Sequence, residues 1–556
     1  MRLRRLWSEV LAFPLLLAGL VPAHRLAAQA QASTGLIRGV VSDTTSGAPI
    51  AGAEVTLRNV ETNDTRSLTT NSSGTYVGPL LRVGTYDVLA RAVGYTPAER
   101  KGVVVRLGEP ATVDLALRPQ AVQLQELTAE AVRAVTEPDR VAAETRLDAQ
   151  VVSGLPNNGR NFLNLTLLTP NVGIVQGPDG DELSVGGQRG IHNNVSVDGA
   201  DFNNPFFGEQ RGGQRPPFTF NLDAVQEIVV VSQGSNAEFG RSGGGFVNVI
   251  TKSGTNQLHG SLHYFGKYNA LSSDFSHTFP SGTTTGFAPD FTQHQFGFTL
   301  GGPIKRDRAF FFLAYDQQVY HEIKQKDRLG LIDPTLVAFL DTAFSGALAG
   351  DFGPIRRTNN AIAGLAKFDF RLSPKHNLSI KYNYTWSRQE NGTFDVDLWG
   401  RSSNGVERDW SHAVNGALRS LLSSAVSNEL RFQFSREDRP RPYEGATNPA
   451  TGRPFPDTDA SPPGFRFGLP YFLPVQSFDT RIQLLDNVSY VRGNHLFKAG
   501  AEWNRTQETQ TFIGFANGRM AFTSVPGFIN YARFGNSYVE CRDGSSNTTG
   551  TCADSI

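Results

Sequence analysis

The sequence predicts an all-β chain whose second half is a membrane-crossing antiparallel sheet. Apolar and charged residues alternate strictly over long stretches of the second half. Glycine is abundant, with 57 in 556 residues, and falls in turn-like clusters. Beyond the first thirty residues no run is apolar and long enough for a spanning helix, which needs roughly 20 residues. A chain with these properties that crosses a bilayer must do so with strands, because every backbone N–H and C=O in lipid has to be satisfied internally. The 52 basic and 52 acidic residues cancel, so no general attraction to nucleic acid or an anionic surface is implied.

The N-terminus opens on Met1-Arg-Leu-Arg-Arg5, continues with an apolar stretch from Val10 to Val21 interrupted by Pro14, and reaches Ala28-Gln29-Ala30. A basic start, a short apolar core and a small-x-small site make residues 1–30 an export signal. From Leu36 the pattern becomes period-two: Ile37-Arg-Gly-Val-Val41, a turn at Asp43-Thr-Thr-Ser-Gly47, then Ala53-Glu-Val-Thr-Leu57 and Gly84-Thr-Tyr-Asp-Val-Leu-Ala90. About seven short strands separated by Gly/Asp/Asn turns predict a β-sandwich over residues 34–119. Alternation then lapses, and residues 120–150, rich in Ala, Val, Glu and Arg, read as a linker.

The order of Gly39, Asp43, Gly47-Ala-Pro-Ile50, Gly52-Ala53, Asn71, Gly74, Tyr76, Gly84-Thr-Tyr86 and Gly94-Tyr95 resembles the carboxypeptidase regulatory-like domain. The resemblance implies a prealbumin-like sandwich related to carbohydrate-binding folds, so it leaves open both glycan binding and a simple folded spacer. No peptidase chemistry accompanies it: His-Glu-x-x-His is absent and the ten histidines lack ligand spacing.

Over residues 151–255, Leu155-Pro-Asn-Asn-Gly-Arg160-Asn161-Phe162, Gly186-Gly-Gln-Arg189-Gly190, Asn194-Val-Ser-Val-Asp198-Gly199, Val225-Gln-Glu-Ile-Val-Val-Val231 and Val247-Asn-Val-Ile-Thr251 follow one another. In this order the blocks resemble the plug of TonB-dependent outer-membrane receptors, and with the sandwich in front they resemble the Oar-like group. The resemblance implies a cell outer-membrane location and a partnership with the TonB–ExbB–ExbD complex. The TonB contact would fall in the linker at Leu124, Glu126, Leu127 and Thr128, which lack the valine run usual at that place. It also implies a small-molecule, glycan or peptide substrate. Arg189, Asp198 and Gly199 are expected to fix the plug to the wall or to itself, since paired charges tolerate partial burial and lone ones do not. Asp201, Phe202, Asn203, Asn204, Phe206 and Phe207 form a loop that either meets substrate or packs on the wall. Gly240-Arg-Ser242-Gly-Gly244 has the spacing of a hydrolase nucleophile elbow, but the strand-like Phe246-Val-Asn-Val-Ile250 follows where a helix is required. No residue is assigned a catalytic role, no metal or cofactor is expected, and the chain is read as not an enzyme.

Residues 256–556 predict part of a transmembrane barrel. In Ala366-Lys-Phe-Asp-Phe-Arg-Leu372, the turn at Ser373-Pro-Lys-His-Asn377, and Leu378-Ser-Ile-Lys-Tyr-Asn-Tyr-Thr-Trp386, one face carries Phe368, Phe370, Leu378, Ile380, Tyr382, Tyr384 and Trp386. The other carries Lys367, Asp369, Arg371, Lys381 and Asn383, the two-sidedness that separates lipid from an aqueous lumen. Leu336, Phe339, Leu340 and Phe344 have helical spacing behind Asp333-Pro334, so a short helix is expected in an external loop. At one strand per 25 to 30 residues, roughly ten to twelve strands result. Barrels of the resembled family have about 22, which makes a truncated barrel the expectation. Cys541 and Cys552, with ten residues between them in a polar segment, either close a local disulfide or stay as free thiols.

Overall fold

In the computed structural model the described residues are 33–107, 109–120, 143–176, 181–204, 218–234, 240, 242–273, 275–278, 284–287, 290–324, 331–392, 398–460, 465–493, 495–535, 539–540 and 546–547. Residues 1–30, the linker positions Leu124, Glu126, Leu127 and Thr128, the aromatics Phe206 and Phe207, and Cys541 and Cys552 lie outside them.

The first unit is a two-sheet sandwich. One sheet has β1 (Gly35–Asp43) at its centre, flanked by β4 (Thr75–Leu81) on one side and β9 (Leu115–Pro119) with β6 (Tyr95–Thr96) on the other; β8 (Pro110–Thr112) also pairs with β1. The other runs β3 (Thr65–Thr69), β2 (Glu54–Asn59), β5 (Gly84–Arg91), β7 (Ala98–Val105). The alternation seen in the sequence places Ile37, Val41, Val55, Leu57, Val88 and Leu117 in one apolar core. Tyr76 is buried there because its hydroxyl has a partner, the Val113 carbonyl at 2.6 Å. Gly39 is required beside it, since a Cβ would run into the Val113 backbone carbonyl.

The middle segment forms a second sheet in the order β10 (Ala143–Asp148), β15 (Val225–Gln233), β16 (Phe246–Thr251), β13 (Asn194–Val197), β14 (Ala200–Asp201), plus a separate hairpin of β11 (Val172–Gln176) and β12 (Asp181–Val185). Asp148 caps α1 (Ala149–Gly154) by accepting the Gln150 and Val151 amides, and Phe162 and Leu165 at α2 (Leu163–Thr166) enter the core. Nearly every residue of β15 and β16 is buried, so these strands read as continuous apolar runs instead of alternating ones.

The third unit is one nine-stranded antiparallel meander, with all neighbours consecutive in the order β17 (His259–Tyr268), β20 (Asp290–Lys305), β21 (Ala309–Lys324), β22 (Ile355–Ser373), β23 (His376–Glu390), β24 (Val406–Leu421), β25 (Val426–Asp438), β28 (Val475–Arg492), β29 (His495–Phe512). The small hairpin β18 (Phe275–Thr278) and β19 (Thr284–Phe287) lies between the first two. The sheet does not close, since β17 and β29 are not hydrogen-bonded to each other. Among the described residues nine strands of this sheet stand where ten to twelve were expected, because most run 13 to 19 residues and the long connections take the rest. At about 3.3 Å per residue, such strands exceed the hydrocarbon thickness of a bilayer and project beyond it.

In the hairpin of β22 and β23, Lys367 faces Lys381 and Asp369 faces Ser379 on the inward side, while Phe368 pairs with Ile380 and Ala366 with Tyr382 outward. Ile380 and Tyr382 are each 39% exposed, whereas Lys381 is 3% exposed. The inward face departs from a purely watery lining at Phe312, Ala314 and Leu365, which join the apolar core of the middle segment. The strict alternation therefore breaks on β21, where Ala309-Phe-Phe-Phe-Leu-Ala-Tyr315 is apolar on both faces.

The short turns gather at one end, where the sandwich also sits. Asp64 pairs with Arg371 at 3.2 Å and accepts from Asn377 at 3.2 Å, Asn63 donates to Asp307 at 3.0 Å, and Arg82 pairs with Asp369 at 3.0 Å. At the opposite end the long connections fold together. The helix α3 (Pro334–Thr342), started by Asp333 and Pro334 as the sequence predicts, supplies Leu336 and Leu340 to a cluster with Phe455, Phe465 and Phe467. Val525 and Phe528 of α4 (Val525–Phe534) complete it. Arg466 within this cap pairs with Asp457 at 2.9 Å, in the small sheet of β26 (Asp457–Asp459), β27 (Arg466–Phe467) and β30 (Arg519–Ala521).

Candidate functional site: the contact between the middle segment and the wall

The turn from β13 to β14 has two central residues, Asp198 at φ +53° and Gly199 at φ +75°, with Val197 paired to Ala200. Two positive φ values in a two-residue loop make an Asp-Gly hairpin turn of the type that matches strand twist. This turn meets the wall. The Asp198 carboxylate accepts from the Lys381 ammonium at 2.7 Å, lies 3.7 Å from that of Lys367, and takes the Thr251 amide at 2.9 Å and hydroxyl at 2.7 Å. Lys381 also donates to the Val197 carbonyl at 3.1 Å, and Lys367 to the Thr251 hydroxyl at 3.0 Å. Burial alone would raise the Asp198 pKa, but the two lysines and the Thr251 amide outweigh it and hold the carboxyl far below its ordinary value. Gly199 is needed for φ and for space: any side chain would strike the Arg431 guanidinium.

A second contact follows immediately. Asp201 forms an ion pair with Arg481, its carbonyl accepts from Gln433 at 2.8 Å, and its amide donates to Gln483 at 3.2 Å. Asn204 donates to Glu437 at 3.1 Å. Asn203 folds back, accepting the Val195 amide at 2.9 Å and donating to the Asn194 side chain at 2.9 Å. Phe202 is 3% exposed and packs into the apolar core. Of the two readings open for this loop, Asp201, Phe202, Asn203 and Asn204 take the packed one: all four are buried against the wall or within the segment, where their polar groups find partners.

The third contact lies toward the other sheet edge. Asp223 pairs with Arg160 at 2.6 Å and with His263 Nδ1 at 2.7 Å, and His263 Nε2 approaches Asp316 at 3.4 Å. Arg160 stands 3.6 Å from Asp316 and 5.1 Å over the Phe265 ring. Burial pushes the Asp223 carboxyl up, and its bonds to His263 and Arg160 more than reverse this.

Of the predicted structural residues, Asp198 and Gly199 meet at the wall. Arg189 does not: its side chain is exposed, and what it contributes is a backbone carbonyl that accepts from the His192 amide at 2.9 Å and the Asn193 side chain at 3.3 Å. Sequence reasoning placed Lys367 and Lys381 on the inward face without assigning them Asp198, and it missed Asp223, His263, Asp316 and Arg481 as docking residues. The available signal was an ionisable residue at an inward position of an alternating strand. Ser242, the elbow-like serine, donates to the Gly245 carbonyl at 2.7 Å beside β16, a structural turn contact.

A strand-built wall, apolar outside and polar inside, that holds a separate sheet through buried charge pairs defines a barrel-type wall around an internal segment. Residues 250–350 and 336–537, together more than half of the chain, match the outer membrane beta barrel domain, and the chain belongs to that family. Residues 36–118 match the carboxypeptidase regulatory-like domain. The chain is 26% identical over 377 residues to the TonB-dependent transporter Oar of Myxococcus xanthus, covering 65% of this chain and 34% of that protein; it thus spans about a third of that relative's length. Among solved structures it is similar to the outer membrane transporter YddB from Escherichia coli, with a TM-score of 0.49 and 13% identity over 66% of this chain and 48% of that one. It is also similar to a ferric enterobactin receptor mutant of Pseudomonas aeruginosa, with a TM-score of 0.43 and 14% identity over 66% and 49%.

Proposed function

We propose that the chain acts as an outer-membrane receptor of the TonB-dependent type, which binds an extracellular solute and admits it to the periplasm when TonB moves the plug. In this reading residues 1–30 are the export signal, 34–119 a periplasmic sandwich, and the linker that TonB engages at Leu124, Glu126, Leu127 and Thr128 is shorter than the 120–150 expected from sequence, because β10 and the start of α1 put residues 143–150 into the middle segment; the plug is then 143–255 and the barrel 256–556. The observation that carries it is the chemistry of the docking contacts. Asp198, Asp201 and Asp223 tie the middle segment to the wall through charge pairs and hydrogen bonds. Polar contacts of this kind exchange for water when pulled apart, whereas parting an apolar seam would expose apolar surface to water at a cost of about 25 cal/mol per Å².

The curated relative is named a TonB-dependent transporter, which supports the same reading. TonB association should depend on residues 121–130. A pull-down with the TonB C-terminal domain is expected to capture the intact chain and to lose it when those residues are replaced by a Gly/Ser segment. Capture that survives the replacement would refute the linker assignment. Absence of capture from the intact chain would favour the alternative, a structural or adhesive surface protein.

A further inference from the structure

A chamber of about 430 Å³ lies where all three units meet. Its roof is the Asp198-Gly199 turn and the stretch from Ile250 to Thr255, its wall is the inward face of β22 to β28, and its floor is the sandwich at Asn59, Thr62 and Arg82. That volume suits a small polar molecule. Six Lys and Arg side chains line it against three carboxylates, so its field favours a negative guest.

The pairing inside the chamber singles out one cation. Lys367 and Lys381 are taken by Asp198, and Arg82 by Asp369. Arg419 and Arg431 are taken by Glu429, at 3.0 and 2.6 Å. Lys252 remains. Its backbone amide donates to the Ala224 carbonyl, and the charge that acts on its ammonium is Asp223, which lines the neighbouring cavity and is already paired with Arg160 and His263. It also lines the neighbouring cavity of about 370 Å³ that holds Arg160, Asp223 and His263, so it stands between the two spaces. Burial lowers its pKa, with Asp223 acting in the opposite sense. Glu61 is the remaining acid and faces the chamber from the sandwich; burial pushes its carboxyl up, against the pull of Arg82 and His259.

We infer that this chamber is a binding site for a small carboxylate- or phosphate-bearing solute, held by the ammonium of Lys252 on the sandwich side of the plug. The sandwich then supplies the floor of a compartment that a solute occupies after passing the plug. The inference deepens the receptor reading by naming a solute class and rests on that reading only for the route. Its test is an equilibrium without TonB, so either idea can fail while the other stands.

Calorimetric titration of the full chain in detergent micelles with citrate, inorganic phosphate and glucose is the direct experiment. At least one of the two anions is expected to bind, which distinguishes the carboxylate from the phosphate source, and glucose is not. Lys252→Gln should weaken anion binding about tenfold, the loss expected for one charge-assisted contact. Lys252→Arg should bind within about twofold of the native chain, and Lys375→Gln, the same charge change at an exposed short turn, should bind like it. A second readout needs no variant: citrate or phosphate should slow acetylation of Lys252 in the native chain, measured by mass spectrometry, and leave Lys375 unaffected. The inference is overturned if neither anion binds, if Lys252→Gln binds like the native chain, if Lys375→Gln loses as much, or if acetylation of Lys252 is indifferent to both anions.

Discussion

Replacing Asp198 by asparagine would isolate the charge that holds the plug turn to the wall. The amide keeps a carbonyl for the Thr251 N–H, but leaves Lys381, 3% exposed, and Lys367, 8% exposed, facing each other without an anion. Removing one partner of a buried ion pair costs about 3–5 kcal/mol, because the other charge stays behind uncompensated. The quantity to measure is plug release, followed in urea by a fluorophore on Ile191→Cys, an exposed position of the middle segment. With a urea slope of ~1–3 kcal/mol/M, the midpoint should fall by at least about 1 M. The double variant Asp198→Asn with Lys381→Met should recover part of the loss, giving a coupling above about 0.5 kcal/mol. The pH dependence has a definite sign. The folded-state pKa of Asp198 is depressed below its ordinary 3.8, so its contribution is complete above that value and drains away as pH falls below it. Release that is unchanged by Asp198→Asn, or a coupling near zero, would refute the claim that this pair docks the plug.

The other contacts give separate expectations. Gly199→Ala should cost roughly 1–2 kcal/mol from positive φ alone, with more from the displaced Arg431, seen as a lower plug-release midpoint. Arg481→Met should cost about 3–5 kcal/mol in the same assay by stranding Asp201, which is 5% exposed. Leu107 of the sandwich is 2% exposed and packs with Val229, Val231, Phe246 and Ile250 of the middle segment. Leu107→Ala should therefore loosen the sandwich by ~2–5 kcal/mol, measured as faster proteolytic separation of residues 34–119 while the barrel stays resistant.

The parts of the fold legible in the sequence are those governed by local pattern. The sandwich strands, the Asp43 and Asp198-Gly199 turns, the helix begun by Asp333-Pro334 and the two-faced hairpin at Lys367 to Trp386 all follow from periodicity and turn chemistry. The start of β24 is less legible, because Val406 to Arg408 end a polar stretch from Glu390 whose composition favours a loop, yet these residues already belong to the wall. The docking pairs were illegible for a different reason. Asp198 and Lys381 are 183 positions apart, and each alone looks like a charge at a turn or on a lumen face. For Asp201 and Phe202 the sequence left substrate contact and wall packing both open, because a polar-aromatic loop after an Asp-Gly turn suits either. Only the presence of Arg481, Gln433 and Gln483 opposite it makes burial affordable.

The account depends on the wall having one face toward lipid and the other toward the plug. Nitroxide labels introduced singly at Ile380, Lys381, Tyr382 and Asn383 of the chain in lipid bilayers test this residue by residue. Collision with oxygen, enriched in the bilayer, should be high at Ile380 and Tyr382 and low at Lys381 and Asn383, while a water-soluble nickel chelate should reach none of the four freely. A pattern without the two-residue period, or nickel access at Ile380 and Tyr382, would contradict it.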